Sequence, residues 1–343
     1  MKHRSAIGEN VLKLRHDRGY TQSELAKSAG LSLPTIKNIE GGKDIAKPST
    51  LEKIAFALGV DAALLQLPAR RLSDVRFRNV KKLRLKWQIL RELSKKLDIY
   101  SELERLNGLY LTPLYSGIKE KSPIRFAAAV RKKLHLTTKE NIVDILSVIN
   151  SLGIKLLKVN VDTDKFLGLS VGELDGGPAV FVNVNWRFAY EMVVFAIVRE
   201  SAHFILHPIK DKDRVDIETE EAETFASHFL MPDEALLSHW NGLQQIHWAL
   251  KVVKLRDIFS VPCLEIIKRM QSLGAAEGSL REENFLRLFN GNASPLSLKG
   301  SLNIEERFNS LVLLSVNRKL LTAQAAAEIL NLPLNAVELW AQG

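Results

Sequence analysis

Between Thr21 and Gly42 the sequence TQSELAKSAGLSLPTIKNIEGG leaves the backbone few choices. Thr21 followed three residues later by Glu24 is a capping box, in which each side chain satisfies a backbone N–H at the start of a helix. Gly30 interrupts that helix, Ser32 caps the next, and Ile36 and Ile39 supply its buried stripe before Gly41 and Gly42 end it. The flanks follow the same logic. Ile7, Val11 and Leu14 predict a first helix ending near Gly19, Pro48 opens a fourth in PSTLEKIAFALGV, and Asp61 begins a short fifth.

This stretch resembles the helix-turn-helix of the XRE family, relatives of phage repressors and Cro proteins, over about residues 7–67. The resemblance implies a five-helix lambda-repressor-like domain that inserts its third helix into the major groove of double-stranded DNA. Ala26 lets two helices cross closely, and Gly30 makes the turn. By position Leu33, Pro34 and Asn38 face base edges. The first two offer apolar contact to thymine methyls, and Asn38 can pair with adenine or another base edge. Ser32, Thr35 and Lys37 are neighbouring candidates, while Gln22, Lys43 and Lys47 resemble the set that grips phosphates and fixes register. The alternative use of such a unit is protein contact or dimerisation alone.

Charge supports a polyanionic partner at this end. Residues 1–67 hold 10 Lys+Arg against 7 Asp+Glu and residues 68–135 hold 18 against 6, whereas the whole chain is only +9, so the remainder is net acidic. From Pro68 the segment runs to about residue 110, and Leu83, Trp87, Leu90, Leu93 and Leu97 keep helical spacing under a strongly basic opposite face. It reads either as a spacer that holds DNA phosphates or a second subunit, or as a solvated helix packed on the next domain.

From about Ser122 to Pro232 the pattern becomes mixed α/β. PIRFAAAVRKKLHL and TKENIVDILSVINSLG read as helices, IKLLKVNV, FLGLSV and PAVFVNV as strands, and WRFAYEMVVFAIVRESAHFILHP and TEEAETFASHFLMP as two further helices. This order, and in particular Phe195–Pro208 followed by Ala222–Pro232, resembles the ImmA/IrrE family of regulatory zinc metallopeptidases. The resemblance implies a zincin-like α+β domain. Its long helix would carry H-E-x-x-H, with two histidines holding zinc and the glutamate acting as general base on the metal-bound water.

Here the corresponding residues are Arg199, Glu200, Ser201, Ala202 and His203. A guanidinium has no lone pair to give, so Arg199 cannot be a ligand. The family's third ligand aligns with Thr219, flanked by Glu218, Glu220 and Glu221. No catalytic residue and no metal are therefore expected. If the peptidase were active, Glu200 would be its base, and a displaced zinc site would draw on Glu200, His203 and His207. Arg199 is expected either to replace the metal's charge by reaching Glu218, Glu220 or Glu221 across two helices, or to point to solvent. His228, His239 and His247 show no ligand spacing and read as structural or exposed.

After Pro232 the chain reads as helical, with loops around GAAEGS and FNGNASPLSLKGS. Its end repeats the front: with Thr21 set on Thr322, Ala26 falls on Ala327, Leu31 on Leu332, Leu33 on Leu334, Ile36 on Val337 and Ile39 on Trp340. TAQAAAEILNLPLNAVELW contains no Lys or Arg, which argues against phosphate contact and for protein contact or packing.

The expected whole is mainly α with an α/β middle domain. A helix-turn-helix domain occupies residues 1–67, a basic helical linker 68–121, a degenerate peptidase domain 122–235 and a helical domain 236–343. The lone Cys263 can form neither an internal disulfide nor a cysteine-based zinc site, and no run is long enough to span a membrane, so a cytoplasmic protein is expected. The expected role is a sequence-specific DNA-binding regulator, as a homodimer, with a sensing or protein-binding rear. The alternatives are an antitoxin that neutralises a toxin partner and autoregulates its promoter, or a zinc endopeptidase that cuts a repressor.

Overall fold

The computed structural model describes residues 6–43, 46–60, 62, 65, 75–76, 86–163, 166–185, 187–207, 215–274, 280–296 and 302–342. The chain divides into two compact units, residues 1–73 with 79–98, and residues 74–78 with 99–343.

In the first unit, α1 (Ala6–Asp17), α2 (Gln22–Ser28), α3 (Leu33–Glu40) and α4 (Pro48–Leu58) form a small bundle. Val11, Leu14, Leu25, Ile36, Ile39, Leu51, Ile54 and Leu58 make one core. Each helix starts and stops as its sequence dictates. Thr21 and Glu24 form the reciprocal capping box, Ser32 accepts the Thr35 N–H, and Gly59 closes α4 in the left-handed region at φ +62°. Gly8 is needed for a different reason. A Cβ there would stand 2.1 Å from the Ile39 carbonyl oxygen, so only a bare Cα lets α1 meet α3. Of the fifth helix expected from Asp61, Ala62 and Leu65 are described, both helical, with Leu65 buried in this core, whereas Leu83 of the linker lies outside the described residues.

Within the linker, β1 (Val75–Arg76) and α5 (Lys86–Asn107) are described, and the division between units falls inside α5. The periodicity that predicts α5 does not extend to β1, a strand too short to show alternation.

The second unit is built on a four-stranded sheet in the order β1-β3-β4-β2, with β2 (Lys155–Val159), β3 (Gly168–Val171) and β4 (Ala179–Asn183). β1 and β4 run antiparallel to β3, and β2 runs parallel to β4. α6 (Pro123–Lys133) and α7 (Ile145–Ser151) precede β2, and α8 (Tyr190–Leu206) and α9 (Val215–Leu230) follow β4. β3 and β4 are buried throughout, which explains their unbroken apolar runs. α7 is shorter than the expected TKENIVDILSVINSLG helix. Asp144 accepts the Ser147 N–H, and this N-cap sets the start at Ile145.

α8 packs on β3 and β4 and also on α9, which packs in turn on α6. α10 (Asp233–Gly242), α11 (Trp248–Phe259), α12 (Cys263–Ser272) and α13 (Glu282–Leu288) follow. One hydrophobic core extends from Phe126 through Phe225, Trp248 and Ile267 to Ile304. α14 (Glu306–Asn317), α15 (Ala323–Leu330) and α16 (Leu334–Gln342) end the chain as a three-helix unit. Most of the GAAEGS loop and part of FNGNASPLSLKGS lie outside the described residues.

Candidate functional site

On the first unit, α3 divides its residues cleanly. Ile36, Ile39 and Glu40 are buried, Pro34 and Lys37 are exposed, and Leu33, Thr35 and Asn38 are half-buried. Spacings of three and four bring Pro34, Lys37 and Asn38 onto one face. Ser32 stands exposed at the helix start, its hydroxyl 2.8 Å from that of Thr35. Lys43 and Lys47 are exposed beyond α3, and the Lys43 N–H donates to the Asn38 carbonyl at 2.9 Å, which folds the chain back over the helix end.

Beneath this face lies an ionic network that the sequence does not announce. The Arg15 guanidinium donates to both Glu40 carboxylate oxygens, at 2.6 and 3.1 Å, and to the Tyr20 carbonyl at 2.7 Å. The Gln22 amide donates to Glu40 at 2.7 Å. One buried carboxylate thus fixes α1, the start of α2 and the end of α3 together. Gln22, expected at the phosphates, is anchored by it.

The second unit places Arg199, Glu200 and His203 on α8. Glu200 is 2% exposed, and Arg199 donates to its Oε1 from Nη2 at 2.8 Å and from Nε at 3.2 Å. The expected reach of Arg199 to Glu218, Glu220 or Glu221 does not occur, nor does the guanidinium point to solvent. The neighbouring carboxylate on the same helix lies within hydrogen-bonding reach of the guanidinium and, being buried, needs a compensating charge. Between these helices the structure instead sets His207, the residue that follows α8, with its Nε2 2.9 Å from Glu221 Oε2. His203 is half-buried one turn after Arg199.

On α9, Thr219 is half-buried and Glu220 exposed, while Glu218 is buried on the stripe of Ala222, Phe225 and Phe229. Across from α8, Gly168 of β3 makes room for Glu200: a Cβ at that glycine would come within 3.1 Å of Glu200 Cγ and 3.2 Å of the Phe181 carbonyl oxygen. A lone glycine inside a strand pattern is the sequence signal for such an approach.

A hydrolytic zinc site needs three protein ligands and an open position for water. The residues here do not supply that set. Arg199 has no lone pair, Thr219 offers only a hydroxyl, and one Glu200 oxygen accepts two guanidinium N–H bonds. Nor are Glu200, His203 and His207 assembled into a displaced site, for among the described residues no group of three His, Cys, Asp or Glu side chains is placed to hold a metal.

The other histidines have structural surroundings. His228 Nδ1 lies 2.9 Å from the Thr224 carbonyl oxygen, and burial lowers its pKa. His239 meets the Phe259 ring edge-on, and His247 caps α11 through the Ala249 N–H. Cys263 is fully buried, which pushes its thiol pKa up to about 12.

Comparison with known proteins meets this geometry at both places. A helix-turn-helix family model matches residues 11–65, and the model of the IrrE N-terminal-like domain matches residues 150–271. The HTH-type transcriptional repressor RghR of Bacillus subtilis (strain 168) is 35% identical over 71 residues, which are 20% of this chain and 53% of that protein. The HTH-type transcriptional regulator y4dJ of Sinorhizobium fredii (strain NBRC 101917 / NGR234), itself uncharacterized, is 34% identical over 68 residues, 20% of this chain and 88% of that protein. The chain thus spans about half the length of the first relative and most of the second. No solved structure matches it.

Proposed function

The chain belongs to the helix-turn-helix regulator family and carries an IrrE N-terminal-like domain behind that module, and from this premise we propose that it is a sequence-specific DNA-binding transcriptional regulator with a catalytically silent peptidase-like domain. α3 enters the major groove with Leu33, Pro34 and Asn38 toward base edges and Thr35 beside them. Ser32 and Lys37 flank them, and Gln22, Lys43 and Lys47 lie toward phosphates. The protein works as a homodimer, because one recognition helix reads too few base pairs for useful specificity. The peptidase-like domain serves in sensing or protein binding.

The observation that carries this reading is the Arg199–Glu200 pair. The position that would donate a metal ligand instead presents a cation, and that cation is committed to the carboxylate that would act as base. The fold is kept and the chemistry is not. A lone, buried cysteine agrees with a reducing cytoplasm.

Selection of bound fragments from genomic DNA tests the reading. The wild-type chain should enrich a defined sequence. Asn38→Ala should relax discrimination at one position, and Lys43→Ala should weaken all sites alike. Failure of the wild-type chain to enrich any sequence would refute the proposal.

A further inference from the structure

A second basic surface lies in the unit that carries the peptidase-like domain. Ile118, Lys119 and Glu120 on one side and Ala129, Lys132 and Lys133 of α6 on the other line an open groove of about 450 Å³. Lys133 is held in place there, its ammonium donating to the Leu114 and Ser116 carbonyls at 2.9 and 2.8 Å. Two of its three N–H groups are thereby used, and one remains for a ligand.

Helical spacing lengthens the surface. Arg125 shares the stripe of Ala129, Lys132 and Lys133, about 10 Å along the axis from Lys132. Lys121 follows the lining residues of the loop. Among the described residues none of Lys119, Lys121, Arg125, Lys132 and Lys133 forms an ion pair with a carboxylate, whereas nearby Lys139 is paired with Glu234 at 3.3 Å. Glu120 is the one acid among the groove's lining residues.

We propose that this groove holds the phosphate backbone of nucleic acid, a second contact independent of α3. Several unneutralised cations set out along a helix and a loop fit a ligand whose negative charges repeat along a chain. Such contacts fix position without reading bases and give binding its salt dependence. The inference extends the DNA-binding reading above, but it rests on different residues.

The test uses the full chain and a 20-base-pair duplex of arbitrary sequence, with affinity measured by fluorescence anisotropy at several salt concentrations. Each phosphate contact contributes about 0.9 to the slope of log K against log salt, so Lys119→Ala with Lys132→Ala should flatten that slope by about 2. Lys139→Ala, already paired, should leave it unchanged. An unchanged slope in the double variant overturns the proposal, as does loss of binding to a polyglutamate peptide with the DNA slope intact. Asn38→Ala with Lys43→Ala separates the two readings. If only that variant loses DNA, the groove proposal fails and the α3 reading stands. If only the groove variant loses DNA, the reverse holds.

Discussion

At Arg199, where the family resemblance implies a zinc-binding imidazole, the side chain is a cation paired with the carboxylate next to it. Glu200 is buried, so the guanidinium offsets the desolvation cost of its charge. Arg199→Ala should therefore lower stability by about 3 kcal/mol, read as a shifted denaturant midpoint, and adding Glu200→Gln should recover most of it. A midpoint equal to wild type in the single variant would mean that the pair carries no weight. His228 supplies a second expectation. Burial lowers its folded pKa below the ordinary 6.5, with Arg269 adding to the effect and the Thr224 carbonyl and Asp233 opposing it. Above that value both states are neutral and the contribution is whole. As pH falls through it, the unfolded chain takes the proton first and stability declines. Urea midpoints between pH 7.5 and 5.5 should fall for wild type and fall less for His228→Gln. Of these residues, Arg199 and Glu200 were legible from the motif. Their pairing was not, since sequence order cannot tell whether a long guanidinium turns to the next residue or to the next helix.

Among the elements, the helices of the first unit were readable because caps and glycines are local signals, and Thr21, Ser32, Gly41 and Gly59 act where they stand. Gly8 was not readable, because its reason lies on α3. Gly8→Ala would force a Cβ against the Ile39 carbonyl oxygen and should cost about 2 kcal/mol, the scale of an overpacked core. Thermal denaturation followed by circular dichroism would show it, and an unchanged transition would contradict the close crossing. The rear repeat extends to backbone detail. Gly30 and Asn331 both adopt positive φ, +61° and +52°, and Leu31 and Leu332 donate to the Ala26 and Ala327 carbonyls, each at 2.9 Å. The copies part at the second helix, where Ile39 is buried but Trp340 is 53% exposed. β1 escaped the sequence because two residues cannot display a period.

Over the whole molecule, the least legible feature is how distant segments share charge. Glu104 of α5 accepts from Lys155 of β2 and from Arg307 of α14, each at 2.9 Å, and Arg307 also donates to the Tyr100 hydroxyl at 2.9 Å. These partners lie 51 and 203 residues from Glu104 in the chain, beyond the reach of any periodic pattern. Burial of the cluster raises the Tyr100 pKa to about 12. Fold class, by contrast, follows from patterns that are local and summed along the chain: periodic helices at both ends and unbroken apolar strands between them.

The proposed reading pairs a DNA-binding regulator with a peptidase-like domain that holds no zinc. Zinc analysis of the full-length protein, purified from zinc-supplemented medium without chelators, tests it most directly. The account predicts less than about 0.1 zinc per chain. One tightly held zinc per chain, lost on Glu200→Ala or His203→Ala, would contradict it.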